Sequence, residues 1–304
     1  MRCATVPGPT TPIPSTRQAI HVRIVSASSD VRSLVSSARG DGRTIGFVPT
    51  MGALHAGHAS LIKRAKADGH HVVVSIFVNP LQFNDPRDLA SYPQTTAADE
   101  ALCDSAGVDL LWRPGVETIY PIGFDTRVEP GALAARLEGS HRPGHFTGVA
   151  TVVLKLLNVV AADEAYFGRK DYQQLAVVRR MAADFDLVTR VVGCPTVRES
   201  DGLAMSSRNV KLDPTSRRSA LALSTALRVV VDALRAGSST DAARARGLEI
   251  LDSAKGVQTE YLEIVDPRTL EPTLHGGDAV VLVAASVGGV RLIDNMEVSE
   301  GGRA

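Results

Sequence analysis

Aromatic side chains are scarce in this sequence of 304 residues: one Trp, five Tyr and seven Phe amount to 4%. So few rings leave little for a base-stacking platform, and Ala, Val and Leu must fill the core. An excess of either charge is also missing, with 33 basic and 33 acidic residues and a formal net charge of zero. Nucleic-acid binders draw much of their affinity from neutralising phosphates, so this balance argues against a dedicated one and leaves room only for a local basic patch. The three cysteines, Cys3, Cys103 and Cys194, are odd in number and far apart, with no CxxC pair for zinc or redox chemistry. A reducing, cytoplasmic setting is the simplest reading. The most apolar stretch, 149–162, is broken by Lys155 and Asn158 and is too short and polar to span a membrane. The first residues have no apolar targeting core, and four prolines among the first fourteen exclude a helix there. They predict a loose tail over about 1–19.

What is present is ordinary globular material, 44% hydrophobic and 22% charged, and at roughly 150 residues per domain the length suggests two domains. Short apolar runs at Thr44–Val48, His71–Val78, Asp109–Arg113, Glu164–Phe167 and Leu187–Val192 read as strands. Several lack alternation, as expected where helices cover both faces of a parallel sheet. Helical patterns lie between them at His58–Ala67, Thr95–Ala106, Val149–Val160 and Tyr172–Asp184. In the third, Val152, Val153, Leu156, Leu157 and Val160 form one apolar stripe. Strands alternating with helices predict an α/β fold, a Rossmann-like doubly wound parallel sheet.

After about Val197 the pattern changes to a polar loop and then to a long helix opened by Asp213-Pro214, a good cap and first-turn pair. Leu223, Leu227, Val230 and Leu234 mark its buried face, with Gly237 as its stop. A second helix, Asp241–Ser253, precedes the strand-like runs YLEIV, AVVLVAASV and VRLIDNMEV. The expectation is a division into 1–196 and 197–304, the second a smaller α+β domain.

The densest chemical signal is Pro49-Thr50-Met51-Gly52-Ala53-Leu54-His55-Ala56-Gly57-His58, directly after a strand and before a helix. Such turns bind anions, because a helix N-terminus offers backbone N–H groups and partial positive charge. Gly52 and Gly57 allow close approach of a phosphate or a nucleotide ring, and His55 and His58 share one face of the first helical turn, from which they can donate to phosphoryl oxygens. Neither a P-loop nor GxGxxG is present. A pair of surface or zinc-ligating histidines is the competing reading, and the strand-end position favours the ligand.

PTMGALHAGH resembles the HIGH-type motif of nucleotidyltransferases in the form found in the pantothenate synthetase family. Three further segments match that family in order and spacing: Phe77-Val78-Asn79-Pro80-Leu81-Gln82-Phe83, Phe167-Gly168-Arg169-Lys170-Asp171-Tyr172-Gln173-Gln174, and Asp201-Gly202-Leu203-Ala204-Met205-Ser206-Ser207-Arg208-Asn209. The resemblance runs from about Ile20 to Val298. It implies ATP-dependent ligation of (R)-pantoate and β-alanine through a pantoyl adenylate, with Mg2+ accompanying ATP, and a homodimer.

By the same resemblance, Met51, Gly52, Ala53, Leu54, His55, Ala56, Gly57 and His58 contact ATP, together with Gly168, Arg169, Lys170, Asp171, Val197, Met205, Ser206, Ser207 and Arg208. His55, His58, Lys170 and Arg208 are the implied catalytic groups, forming a local excess of positive donors around one triphosphate. Gln82 and Gln174 recognise pantoate, with Asn79 either a pocket ligand or a turn former before Pro80. Arg142 and His145, in HRPGHFTG, are further candidates beside that pocket, a structural role being equally open. Arg169 departs from the Glu or Gln usual in the family, and its side chain is expected to face away from the nucleotide. Asn84–Pro93, rich in turn formers, is the candidate gate over a hydrolysable intermediate. Related adenylyltransferases lack the FVNPxQF and KDxQQ pair, no tRNA-binding domain is evident, and a non-catalytic nucleotide-binding module is disfavoured by retention of both histidines, Lys170 and Ser206-Ser207-Arg208.

Overall fold

Around the strand Ile45–Thr50 the chain builds a six-stranded, wholly parallel sheet. The structure, a computed structural model, describes residues 22–274 and 277–298, so the loose tail expected over 1–19 and Cys3 lie outside it. The strands are β1 (Arg23–Val25), β2 (Ile45–Thr50), β3 (His71–Ile76), β4 (Leu110–Trp112), β5 (Glu164–Gly168) and β6 (Arg190–Cys194), in the order β1-β4-β3-β2-β5-β6. Successive side chains of a strand face opposite ways. Phe47 of β2 thus joins the core under the helices Ser28–Gly40, His145–Val160 and Tyr172–Asp184, while Val48 joins the core under Ala56–Ala67 and Thr96–Ser105. Both faces are covered, which is why β2 and β3 are apolar almost throughout.

The stripe Val152, Val153, Leu156, Leu157 and Val160 is buried as expected. Its helix starts earlier, at His145, because Gly144 at φ +80° turns the chain there. The last strand of the sheet is Arg190–Cys194 rather than Leu187–Val192. Asp186 at φ +49° reverses the chain, and the Leu187 N–H still bonds back to Ala182 in the preceding helix. β1 and the helix Ser28–Gly40 were not expected.

A second sheet is antiparallel, in the order β7 (Val257–Val265), β8 (Val280–Val287) and β9 (Val290–Glu297). The helix Pro214–Arg235 opens on Asp213, whose Oδ1 accepts from the N–H groups of Thr215 (2.8 Å) and Ser216 (3.0 Å). It packs with Thr240–Ser253 on the face carrying Val281, Val283 and Ala285. The opposite face, Val280, Leu282 and Ala284, is covered by Leu137, Leu133 and Tyr172 from the region of the parallel sheet. β8 is therefore apolar without alternation, for the same reason as β2. Among the described residues no helix is long and apolar enough to cross a membrane.

Candidate active site

From β2 the chain continues to β3 on one side, and from β5 it continues to β6 on the other. The loops leaving β2 and β5 therefore part at the C-terminal edge of the sheet, where open α/β folds bind ligands. A cavity of about 280 Å³ opens there, reached by Met51, His55 and His58 after β2 and by Gly168, Lys170 and Asp171 after β5. Gln82, Asn79, Gln174, Arg142 and His145 wall one part of it, and Val197 with Met205, Ser206, Ser207 and Arg208 another.

The turn after β2 is held by a buried carboxylate. Gly52 and Ala53 both adopt positive φ (+86° and +50°), a conformation costly for Ala53. Asp99, 3% exposed, accepts from the N–H groups of Ala53 (3.0 Å) and Leu54 (2.8 Å) and from the Thr95 hydroxyl (2.9 Å). His55 then caps the helix Ala56–Ala67: its Nδ1 accepts from the Gly57 N–H (3.1 Å), while the His58 Nδ1 accepts from the His55 N–H (3.3 Å). This is a reciprocal capping box built from two histidines. A ring nitrogen that accepts carries no proton, so in each neutral imidazole the proton sits on Nε2. Burial pushes His55 below its ordinary pKa, and burial with the neighbouring His55 brings His58 down to about 3.

Two expectations change here. The histidines are neutral N–H donors, so positive charge at the site comes from Lys170, Arg208 and Arg142 rather than from imidazolium. The backbone N–H groups of Ala53, Leu54, His55 and Gly57 are also engaged within the protein. Gly57, on the cavity wall, also makes room for the His55 ring, which would lie 2.8 Å from a Cβ there.

On the amide wall, Asn79 is satisfied internally. Its Nδ2 donates to Gln82 Oε1 (2.9 Å) and the Gly148 carbonyl (3.1 Å), and its Oδ1 accepts from the Tyr120 hydroxyl (2.7 Å) and the Leu81 N–H (3.3 Å). It caps the turn Pro80–Gln82 and aims Gln82, whose Nε2 lies 3.1 Å from Met51 Sδ. Gly148 permits this approach, since a Cβ there would be 2.3 Å from the Leu81 carbonyl oxygen. His145 Nδ1 donates to the Gln82 carbonyl (2.8 Å) and leaves Nε2 to accept from Arg142 (3.2 Å). Burial and the Arg142 charge bring His145 down to about 4. Behind Arg142, Glu138 joins the two sheets. Burial would raise its carboxyl, but the forked Arg291 guanidinium (2.6 and 2.7 Å) and the Tyr261 hydroxyl (2.8 Å) outweigh burial and hold it below the ordinary range.

Elsewhere on the cavity wall, Lys170 Nζ lies 3.3 Å from Asp171, and Arg208 Nη2 donates to Asp88 (2.9 Å). The Met205 N–H bonds the Val197 carbonyl (3.0 Å), and Arg198 forks onto Asp294 (2.6 and 3.0 Å). Next to Asp294, Asn295 Nδ2 donates to the carbonyls of Arg169 (2.9 Å) and Lys170 (2.8 Å).

A family model described as Pantoate-beta-alanine ligase matches residues 23–297. The chain belongs to the pantoate-β-alanine ligase family. Among curated relatives in the family, the pantothenate synthetase of Koribacter versatilis is 48% identical over 286 residues, covering 93% of this chain and 98% of that protein. That of Pseudomonas paraeruginosa is 49% identical over 278 residues, covering 90% and 98%. The pantothenate synthetase of Thermus thermophilus has a similar structure, with a TM-score of 0.87 at 48% identity, over 91% of this chain and 99% of that one. So does the pantoate-β-alanine ligase of Francisella tularensis, solved in complex with beta-gamma ATP and β-alanine: TM-score 0.77, 37% identity, 92% and 99% covered.

Within this ligase-family chain, most of the residues singled out from the sequence meet at the one cavity. Gly52, Ala53, Leu54, Ala56 and Arg169 do not reach its wall; the Arg169 guanidinium turns away to Glu297 (2.8 Å). Asp99, Glu138, Asp294 and Asn295 were not anticipated. Asp99 had one usable signal, an acidic residue in the first turn of a helix. The others act across the fold, and no local pattern marks them.

Proposed function

We propose that this cavity joins pantoate to β-alanine at the expense of ATP, through a pantoyl adenylate, with release of AMP and pyrophosphate. One contact carries the reading: Gln82 Nε2, on the amide wall, rests 3.1 Å from Met51 Sδ of the histidine turn. An acid held by amides thereby lies against the groups that would hold a nucleotide, as transfer to the α-phosphorus requires.

Pantoate's carboxylate, with a pKa of about 4, is ionised at neutral pH and attacks without a general base. The step needs instead the stabilisation of charge on phosphorus and on departing pyrophosphate. Lys170 and Arg208 supply positive charge, the His55 and His58 Nε2–H groups supply neutral donors, and Ser206 and Ser207 supply hydroxyls. Gln82 and Gln174 hold pantoate, donating and accepting together, while Arg142 and His145 border the acid end. Asn79 acts by orienting Gln82. In the second step the β-alanine amine, once deprotonated, attacks the acyl carbonyl and AMP leaves.

Mg2+ enters on the triphosphate as part of the nucleotide substrate. Among the described residues no cluster of three or more His, Cys, Asp or Glu could hold a metal, and this ion keeps most of its waters and binds phosphate oxygens. Asn84–Pro93 serves as the gate, with the chain divided into 1–196 and 197–304. A cytoplasmic homodimer completes the reading, and sedimentation tests the dimer.

The decisive measurement is product analysis. AMP is expected to accumulate only when ATP, pantoate and β-alanine are all present, pyrophosphate being released already at the adenylate step, and formation of ADP would sink the reading.

A further inference from the structure

The loop that carries Lys170 has little to hold it within its own segment. Arg169–Asp171 is a single 3-10 turn with no side-chain cap. Its brace comes instead from β9, 126 and 125 residues downstream, where Asn295 Nδ2 donates to the carbonyls of Arg169 (2.9 Å) and Lys170 (2.8 Å). Those two carbonyls belong to the peptide groups on either side of the Lys170 Cα. Holding both peptide planes fixes the φ and ψ of Lys170, and with them the direction in which its side chain leaves the backbone. Asn295 is 5% exposed, so a donor lost here would leave two carbonyls short of a partner.

The preceding residue braces the second phosphate-facing loop. Asp294, 4% exposed, accepts the fork of Arg198 (2.6 and 3.0 Å) and the N–H of Asn295 (2.7 Å). Arg198 also donates to the Asn295 carbonyl (3.2 Å), and it opens the loop whose Val197 and Met205 are hydrogen-bonded to each other. Two consecutive residues of the antiparallel sheet thus hold two loops that reach the cavity from the parallel sheet.

We propose that Asn295 is a positioning residue for the ligation: by clamping both peptides that flank Lys170 it sets the lysine against the phosphates, while Asp294 keeps the 197–208 loop in register with it. This rests on the role of Lys170 proposed above. Asn295 borders the cavity, but its amide nitrogen is spent on these two carbonyls, and through them it acts on the lysine.

The test is a double-mutant cycle read by pantoate-dependent exchange of pyrophosphate into ATP, which reports the first half-reaction alone. Asn295→Ala is expected to lower the maximal exchange rate about tenfold or more, with the KM for ATP changed less than about threefold. In a Lys170→Ala background, assayed at high enzyme concentration, the same substitution should cost less than about twofold, because residues acting as one unit are not additive. Equal fold losses in the two backgrounds, or a loss confined to KM, would overturn the positioning role while leaving Lys170 in place. If Lys170→Ala exchanged at the wild-type rate, the role of Lys170 itself would fall, and this proposal with it. Should Asn295→Ala not fold, Asn295→Ser keeps one hydroxyl donor. It should show an intermediate loss that vanishes in the Lys170→Ala background, and an unchanged rate would overturn the proposal.

Discussion

Arg208 pairs with Asp88 across 120 residues of sequence, at 2.9 Å, tying the Ser206-Ser207-Arg208 loop to the segment Asn84–Pro93. A further contact lies along the same seam, where Lys211 Nζ reaches Ser91 Oγ (3.3 Å). In the proposed reaction Arg208 must loosen its hold on Asp88 to meet a phosphate. Both partners are 34% exposed, and such pairs contribute only about 0.2–1 kcal/mol. Asp88→Asn should therefore lower the KM for ATP by no more than about fivefold, whereas Arg208→Ala should depress kcat by about tenfold or more. Steady-state kinetics of both variants checks this, and a rise in KM for Asp88→Asn would contradict it.

His58→Ala or Lys170→Ala should each reduce adenylate formation by about tenfold or more, the loss expected when about 1.4 kcal/mol of transition-state stabilisation disappears. Single-turnover release of pyrophosphate is the measurement. Undiminished release would remove the residue from the mechanism.

Asp99→Ala should unsettle the turn that places His55. It strands the buried N–H groups of Ala53 and Leu54, at about 1–3 kcal/mol, and releases a positive-φ alanine. The expected outcome is a lower urea midpoint together with a higher KM for ATP. A loss of stability with unchanged kinetics would mean that the turn finds its shape without the carboxylate.

Gly148→Ala tests the amide wall. Its Cβ would collide with the Leu81 carbonyl, so the helix His145–Val160 and the turn Pro80–Gln82 must separate. Overpacking of this kind costs typically about 1–3 kcal/mol. Pantoate KM should rise more than ATP KM, because Gln82 sits on that turn, and equal changes in the two would count against Gln82 as a pantoate ligand.

Buried and half-buried histidines make stability fall with acid. His58 and His145 are lowered to about 3 and about 4, and His55 and His71 are also lowered. Below their unfolded pKa of about 6.5 the unfolded chain takes up protons that the folded one does not, so stability drops as pH falls from about 6.5 toward 4. By pH 5 the expected loss is on the order of 1–2 kcal/mol for each of His58 and His145. Glu138, held below its ordinary range, withdraws its contribution only below about pH 4.5. Urea unfolding between pH 6.5 and 4.5 therefore reads the histidines, and His145→Gln should flatten the slope.

Elements with a strong internal pattern are legible in the sequence alone. The helix Tyr172–Asp184 and the stripe from Val152 to Val160 need only periodicity. The helix Ser28–Gly40 is hidden because it buries only Val31, Val35 and Ala38 among serines and has no side-chain cap, and β1 because it is a three-residue edge strand. At the site, the residues that face the cavity lie in dense local motifs. The residues that brace those motifs do not, even where they also border the cavity: Asp99 works through backbone N–H groups, Asn295 through backbone carbonyls, and Glu138 through an arginine 153 residues away. Backbone groups are the same in every sequence, so such partners leave no mark on the segment they support.

The brace on Lys170 also sets an order of events during synthesis. When a ribosome has just released Lys170, the chain holds a lysine whose flanking peptides have no clamp, and 125 more residues must emerge before Asn295 can supply it. All six strands of the parallel sheet precede residue 195, yet the clamp on the lysine that we propose to face the phosphates waits for β9 to dock. A nascent chain stalled before residue 295 would therefore carry the histidine turn and the amide wall without the clamp on its lysine and, on the role proposed for Lys170, would form adenylate more slowly than the completed chain.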